Sequence, residues 1–346
     1  MVSHTGMATV YLKMKSSSRR DLGIVVLRTF AMLMIVLCHF FTWGGVSYLP
    51  QFLSVGVFVF LLISGWLYSD KDIQAPFRWL YERWKKICIP ILIWVLFVCS
   101  VSLCFYHQRI GIRDLLLLVS NLQGLSWILP FFPHLSGEGL VFGLAHLWFI
   151  TVLFCCYFLL CFRSIYKNDL IVCLLLFALS ICLGLVGINL FYLTCFFLGS
   201  TLKKVRLTRL RVFIITCIMI LAVIVRLVGR HFLDGTSYYN VIIVSITQII
   251  ISVWLFVLIK WLVDNLSYAQ KKADNWLMQK GDILSYHIYI THYLYLCPLF
   301  NLHSFTKSLF FQVIAFIVLT LISAVLLKWI SDKSIKYLSR VLAFSK

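Results

Sequence analysis

Long apolar runs, separated by short clusters of basic and polar residues, repeat along the chain from about residue 22 to residue 330. Ten of these runs, at about 22–43, 51–69, 86–106, 141–162, 169–187, 189–202, 210–230, 240–262, 282–300 and 308–330, approach the length of a membrane helix. A helix needs about 20 predominantly apolar residues to cross a hydrocarbon layer about 30 Å thick. Without water to satisfy the backbone, such runs are stable only as helices. The pattern therefore predicts an all-α polytopic membrane protein with about ten transmembrane helices, the run at 189–202 being short. The connection at 107–140 is the longest and is too polar to span yet too apolar to float in water. It is expected to be an external, interfacial or re-entrant segment.

Charge orients these spans. Twenty-five of the 31 Lys and Arg residues fall in the two tails and every second loop, whereas only Arg109, Arg113, Arg226, Arg230 and Lys307 fall on the other side. Arg28 lies inside the first run. Positive residues concentrate on the cytoplasmic side of membrane proteins, so both termini are expected in the cytoplasm. The divisions are a cytoplasmic tail at 1–20, a membrane-embedded domain at 21–331 and a cytoplasmic tail at 332–346. Met7 and Met14 are alternative starts to Met1. Composition agrees: 62% hydrophobic and 12% charged residues exclude a soluble enzyme and a disordered chain. The net charge of +19 arises from loop clusters, not from a basic surface, so nucleic acid is not an expected partner. The 12 cysteines lie in or beside apolar runs and read as small buried hydrophobes. No metal site is expected.

Against this apolar background a few polar residues stand out. Arg28 in the first run costs roughly 2.5–3.5 kcal/mol near a helix centre. His39 follows eleven positions later, which returns to within about 20° of the same helix face and about 16 Å further along it. In the ninth run Ser285, Tyr289 and His292 stand at i, i+4 and i+7 on one face. His146 near the start of the fourth run lies at a depth similar to His39. Glu138 precedes that run on the external side. Ser64 and Gly65 near the end of the second run permit close helix packing. Arg78, Arg83 and Lys86 form a basic amphipathic entry into the third run, suited to orientation and to a phosphorylated ligand. The stripe Ser245, Gln248 and Ser252 reads as glue between helices.

Four of these segments, in order, resemble the acyltransferase-3 family of integral-membrane acyltransferases. An Arg and a His separated by ten residues in the first span are matched by Arg28 and His39, and a Ser-Gly-aromatic-Leu signature by Ser64 to Leu67. His146 to Phe149 match His-Leu-Trp-Phe, and Ser285 to His292 match a late Ser-Tyr-x-Ile-Tyr-x-x-His. The family's Arg-x-x-Arg is altered here, Lys86 replacing the second Arg, so the bidentate fork is lost while the charge remains. The resemblance implies transfer of an acyl group, most often acetyl, from cytoplasmic acyl-CoA to a hydroxyl of a surface glycan such as an O-antigen polysaccharide, or of its lipid-linked precursor. It places the protein in a bacterial cytoplasmic (inner) membrane, as an O-acetyltransferase.

On that reading His39 is the general base or carries an acyl-histidine, and Arg28 orients or neutralises the donor. Arg83 and Lys86, with Arg78, meet the CoA phosphates. His146, Ser285, Tyr289 and His292 line the reaction chamber, and Glu138 and Ser64 contact substrate. Two other readings of the same residues are a transporter or flippase, independent of CoA, and a scaffold of a glycan-assembly complex that tolerates substitution of Arg28 and His39.

Overall fold

The computed structural model describes residues 21–344, apart from 47, 108–109, 133–143, 234, 237, 266–275 and 298–299. Among the described residues there are helices and turns and no strands. The main helices are α1 (Leu22–Trp43), α2 (Val55–Tyr68), α3 (Pro76–Tyr106), α4 (Ile112–Val119), α5 (Trp148–Leu160) and α6 (Asp169–Gly184). They continue with α7 (Phe191–Leu202), α8 (Arg209–Leu233), α9 (Val244–Asn265), α10 (Trp276–Thr291) and α11 (Leu309–Phe344). Helix is thus found in all ten of the expected runs. Six of them, counted with adjoining turns, are long and apolar enough to cross a membrane, whereas Ala145–Leu160, Asp169–Gly184 and Phe191–Leu202 are shorter. This is an all-α, multi-pass integral membrane protein.

Helix ends differ from the expected boundaries where polar residues extend or interrupt a helix. α3 starts at Pro76, ten residues earlier than its apolar run, because Pro at the first position is compatible with a helix start and the following basic turns are helical. It also contains Pro90, which leaves the Lys86 carbonyl without its helical donor. The run at 141–162 is not one helix: a 3-10 turn, Ala145–Leu147, precedes α5. α10 likewise gives way to a 3-10 turn at His292–Tyr295.

Helix α2 occupies the centre, packed against α1, α7 and α9. Its crossing with α7 is set by two glycines. A Cβ at Gly65 would lie 1.8 Å from the Phe196 carbonyl oxygen, and one at Gly199 would lie 2.2 Å from the Leu62 carbonyl oxygen. Leu61, Leu62, Phe196 and Phe197 fill the core beside that crossing. The expectation of close packing at Ser64-Gly65 is met. By contrast, α8 and α11 turn Phe213, Leu221, Phe310 and Ile322 outward. Apolar faces of that extent suit lipid rather than water.

The end of the bundle holding the start of α1 carries an ion-pair network. Lys260 bridges Asp21 at 3.1 Å and Asp264 at 2.7 Å. Arg163 pairs with Asp169 and donates to the Tyr68 carbonyl at 2.6 Å, tying the end of α2 to the α5–α6 connection. This is termed the basic end below, and the end holding Trp43 the far end.

The long connection is partly ordered against the bundle. α4 is followed by a 3-10 turn at Gln123–Trp127, where the Gly124 N–H donates to Thr151 Oγ1 at 3.1 Å and Thr151 donates to the Asn121 carbonyl at 2.7 Å. Trp127 then stacks on Trp148, with ring centroids 5.0 Å apart. Residues 133–143, which include Glu138, lie outside the described residues.

Candidate active site

Three histidines from three segments meet below the far end. His39 comes from the last turns of α1, His146 from the 3-10 turn before α5, and His292 from the turn that ends α10. Their ring centroids are 6.4 Å (His39–His146), 5.4 Å (His39–His292) and 5.1 Å (His146–His292) apart. Tyr293 packs against two of them, 4.8 Å from His39 and 4.9 Å from His146.

Backbone carbonyls assign the protons of the two buried rings. His146 Nε2 lies 3.1 Å from the Ile290 carbonyl oxygen, and His292 Nδ1 lies 2.8 Å from that of Tyr289 and 3.2 Å from that of Ile288. A carbonyl only accepts, so each of these nitrogens carries the hydrogen. The remaining nitrogens, His146 Nδ1 and His292 Nε2, are buried acceptors with no partner. Tyr289 donates its hydroxyl to the His146 carbonyl and so fixes the turn that presents His146. His39 alone of the three keeps part of its surface open.

His39 and His146 line a cavity of about 220 Å³ with Ser54, Trp127, Tyr192 and Gln248. It is mostly apolar, the setting in which a neutral imidazole can serve as a base. A second cavity, of about 350 Å³, opens toward the basic end and is lined by Arg28, Ser64, Arg83, Lys86, Asp282 and Ser285 among others. Phe149 and Tyr289 border both cavities. Among the described residues, these two side chains alone are common to the cationic chamber and the histidine chamber.

Within the cationic cavity Arg28 is not alone. Its Nη1 meets Asp282 Oδ1 at 2.5 Å, joining α1 to α10 across 254 residues of sequence, and Asp282 is 4% exposed. That pairing explains how the first span accommodates a guanidinium. Arg83 lies over the rings of Tyr68 and Trp79, 5.4 and 5.7 Å from their centroids, and its Nε is buried with no partner. At the mouth, burial and then the charges of Arg83 and Lys86 hold the Lys71 ammonium below its ordinary pKa. Such mutual repulsion among cations is relieved by an anionic ligand. Tyr286 closes one side, donating to the Ile87 carbonyl at 2.6 Å, next to the carbonyl freed by Pro90.

Three of the expected site residues lie elsewhere than in the histidine chamber or the cationic cavity to which they were assigned. Ser285 lines the cationic cavity rather than the histidine chamber, and its hydroxyl donates to the Asp282 carbonyl one turn back at 2.8 Å. The face shared by Ser285, Tyr289 and His292 runs along the bundle axis, so its members sit at different depths. His292 lines neither cavity; it is fully buried behind His39 and His146. Arg78 is exposed and outside the cationic cavity, because five positions before Arg83 it is rotated by about 140° around α3. Ser64, Arg28, Arg83, Lys86 and Tyr289 do converge as cavity-lining residues.

Residues not singled out from sequence are Asp282, Tyr293 and Trp127; Phe149 entered only as the last residue of the His-Leu-Trp-Phe match. Gln248 was read as packing glue, yet its amide donates to Ser54 Oγ at 2.7 Å while lining the histidine chamber. An intramembrane carboxylate at the start of an apolar run was a usable signal for Asp282. Trp127 carried none, being an aromatic residue in an aromatic-rich chain.

A helical bundle that holds a cationic chamber against a histidine chamber inside a membrane has the layout of a group-transfer enzyme. Residues 21–329 match the acyltransferase domain family (Acyl_transf_3), and the chain belongs to that family of membrane acyltransferases. Compared with curated proteins and with solved structures, it matches none.

Proposed function

We propose that this acyltransferase moves an acetyl group from cytoplasmic acetyl-CoA to a hydroxyl of a cell-surface glycan or of its lipid-linked precursor, across a bacterial cytoplasmic membrane. The observation that carries the reading is the pair of adjoining chambers, one rich in Arg and Lys and one in His, with Phe149 and Tyr289 in common. The cationic chamber lies at the end of the bundle where most Lys and Arg are found, the side that the positive-inside rule assigns to the cytoplasm.

In this mechanism Arg83 and Lys86 bind the CoA phosphates, Lys86 as a point charge. The Arg28–Asp282 pair lines the path of the thioester arm, which passes Phe149 and Tyr289 toward His39. A sugar hydroxyl enters the histidine chamber, and His39 takes its proton as the oxygen attacks the thioester carbonyl. The C–S bond breaks as the ester C–O bond forms, the imidazolium of His39 returns the proton to the departing thiolate, and CoA leaves toward the basic end as the thiol. His146 and His292, whose protonated nitrogens are held by carbonyls, position the cluster and offer acceptor nitrogens within it. General bases so placed contribute about 10²–10⁴-fold.

The test supplies acetyl-CoA labelled in the acetyl group to membranes containing the full chain and examines the surface glycan by mass spectrometry. Labelled ester on the glycan that disappears without the protein is expected. Unaltered glycan, or movement of unmodified glycan without consumption of acetyl-CoA, would overturn the reading. Substituting both Arg83 and Lys86 with Ala is expected to weaken acetyl-CoA binding at least tenfold while leaving acceptor affinity within twofold.

A further inference from the structure

A third cavity, of about 350 Å³, lies at the far end beyond the histidine chamber. Ser54 and Gln248, joined by their hydrogen bond, border both. Its charged wall is Arg226 and Arg230, one turn apart on the same face of α8, opposite Gln51 of the short helix Leu49–Leu53.

Arg226 is 3% exposed, yet its Nη1 has no hydrogen-bond partner and no carboxylate among the described residues pairs with it. Its other contacts hold it in place without supplying a counter-charge. Nη2 donates to the Gln51 carbonyl at 2.9 Å, the guanidinium lies 5.2 Å from the Phe52 ring centroid, and the Tyr239 hydroxyl donates to the Arg226 carbonyl at 3.1 Å. Arg230 is turned toward the same residue, its Nη1 3.3 Å from Gln51 Oε1. A buried guanidinium without a paired anion is costly. That cost falls when an anion occupies the cavity, where Arg226 presents a planar fork to carboxylate or phosphate.

We infer that this cavity is an anion subsite for the acceptor: Arg226 and Arg230 bind a carboxylate or phosphate group of the glycan while its hydroxyl reaches past Ser54 and Gln248 to His39. The inference rests on the acyl-transfer reading for the identity of the occupant, and on Arg226 alone for the need of an anion. It narrows the substrate class to acceptors that carry a negative group close to the acetylated sugar, either an acidic sugar or a sugar phosphate.

The experiment uses the full chain in phosphatidylcholine nanodiscs and measures binding of glucuronic acid, glucose 1-phosphate and neutral glucose, with acetyl-CoA as a control ligand. The wild type is expected to bind at least one of the two anionic sugars ten or more times tighter than glucose, and the preferred one names the group. Arg226→Gln with Arg230→Gln is expected to remove that preference while acetyl-CoA affinity stays within twofold. Arg226→Lys keeps the charge in place and is expected to retain part of the preference, which separates loss of the anion site from loss of the fold. Equal affinity for all three sugars, or a preference that survives the double substitution, would overturn the inference. A repeat in discs containing phosphatidylglycerol distinguishes a headgroup: loss of sugar binding there, reversed by the double substitution, would assign the cavity to lipid and overturn the acceptor reading. Retained anion binding in a protein that transfers no acetyl group would instead overturn the transfer reading and leave the anion site standing.

Discussion

His39 is the one member of the histidine cluster that keeps part of its surface open, and this makes it the side chain whose chemistry is easiest to isolate. His39→Gln keeps a hydrogen-bonding group but cannot take a proton near neutral pH. Transfer is expected to fall by about 10²–10⁴-fold, with acetyl-CoA binding and abundance unchanged; wild-type glycan modification would rule out the base. Asp282→Ala probes a different property. It strands the Arg28 guanidinium, whose 28% exposure keeps the cost below the about 3–5 kcal/mol of a fully buried pair, and the protein's thermal stability and abundance are expected to drop. Arg28→Met combined with Asp282→Leu is expected to restore abundance without restoring transfer, and recovery of both would reduce the pair to a packing device. Much of this was legible in the sequence. Arg28 and His39 stood out because a charge and an imidazole are expensive in an apolar run, and His146 because its depth matched. The partner of Arg28 was not legible, since nothing local links positions 28 and 282. Nor were the histidine tautomers, which depend on carbonyls contributed by a helix end that the apolar pattern treats as continuous.

At the scale of elements, the contact between α2 and α7 is the least tolerant joint. Gly65→Ala would force its new carbon against a backbone carbonyl that has no rotamer by which to move aside, and Gly199→Ala does the same from the opposite helix. Overpacking of this kind costs about 1–3 kcal/mol and occasionally more. Each variant is expected to show a lower midpoint of thermal unfolding in detergent and lower membrane abundance; unchanged unfolding of both would mean that the crossing relaxes freely. The helices themselves were legible because apolar run length is a direct readout of membrane thickness. Their ends were less so. His146 and His292 both lie on 3-10 turns adjoining longer helices, and in the second case the His292 ring and the Thr291 hydroxyl take backbone carbonyls of the preceding turn. Polar side chains competing for the backbone end a helix without altering hydropathy.

For the whole molecule, orientation is the property on which the direction of transfer depends. In a cysteine-free background, single cysteines placed at Ser136 and Ser237 are expected to react with an impermeant thiol reagent in intact cells, and cysteines at Ser17 and Lys272 only after the cells are opened. Reaction at position 272 in intact cells would reverse the sidedness and put the cationic chamber on the side opposite to the proposed donor. Loop charge made this expectation legible from the sequence, whereas the file of chambers was not, because their walls come from helices far apart in the chain.

That file of chambers has a cost for the cell that is separate from catalysis. Three hollows in succession occupy the interior from the basic end to the far end, and two aromatic rings, Phe149 and Tyr289, border both of the first two. These two side chains therefore stand between one hollow and the next. On the proposed mechanism, the same rings that the thioester passes must stop protons and water from following it. Cells producing a Phe149→Gly, Tyr289→Ala protein are expected to leak protons and lose part of their membrane potential, as read by a voltage-sensitive dye, and the wild-type protein is expected to leave it unchanged. An enzyme built this way has to be a good electrical insulator before it can be a good catalyst.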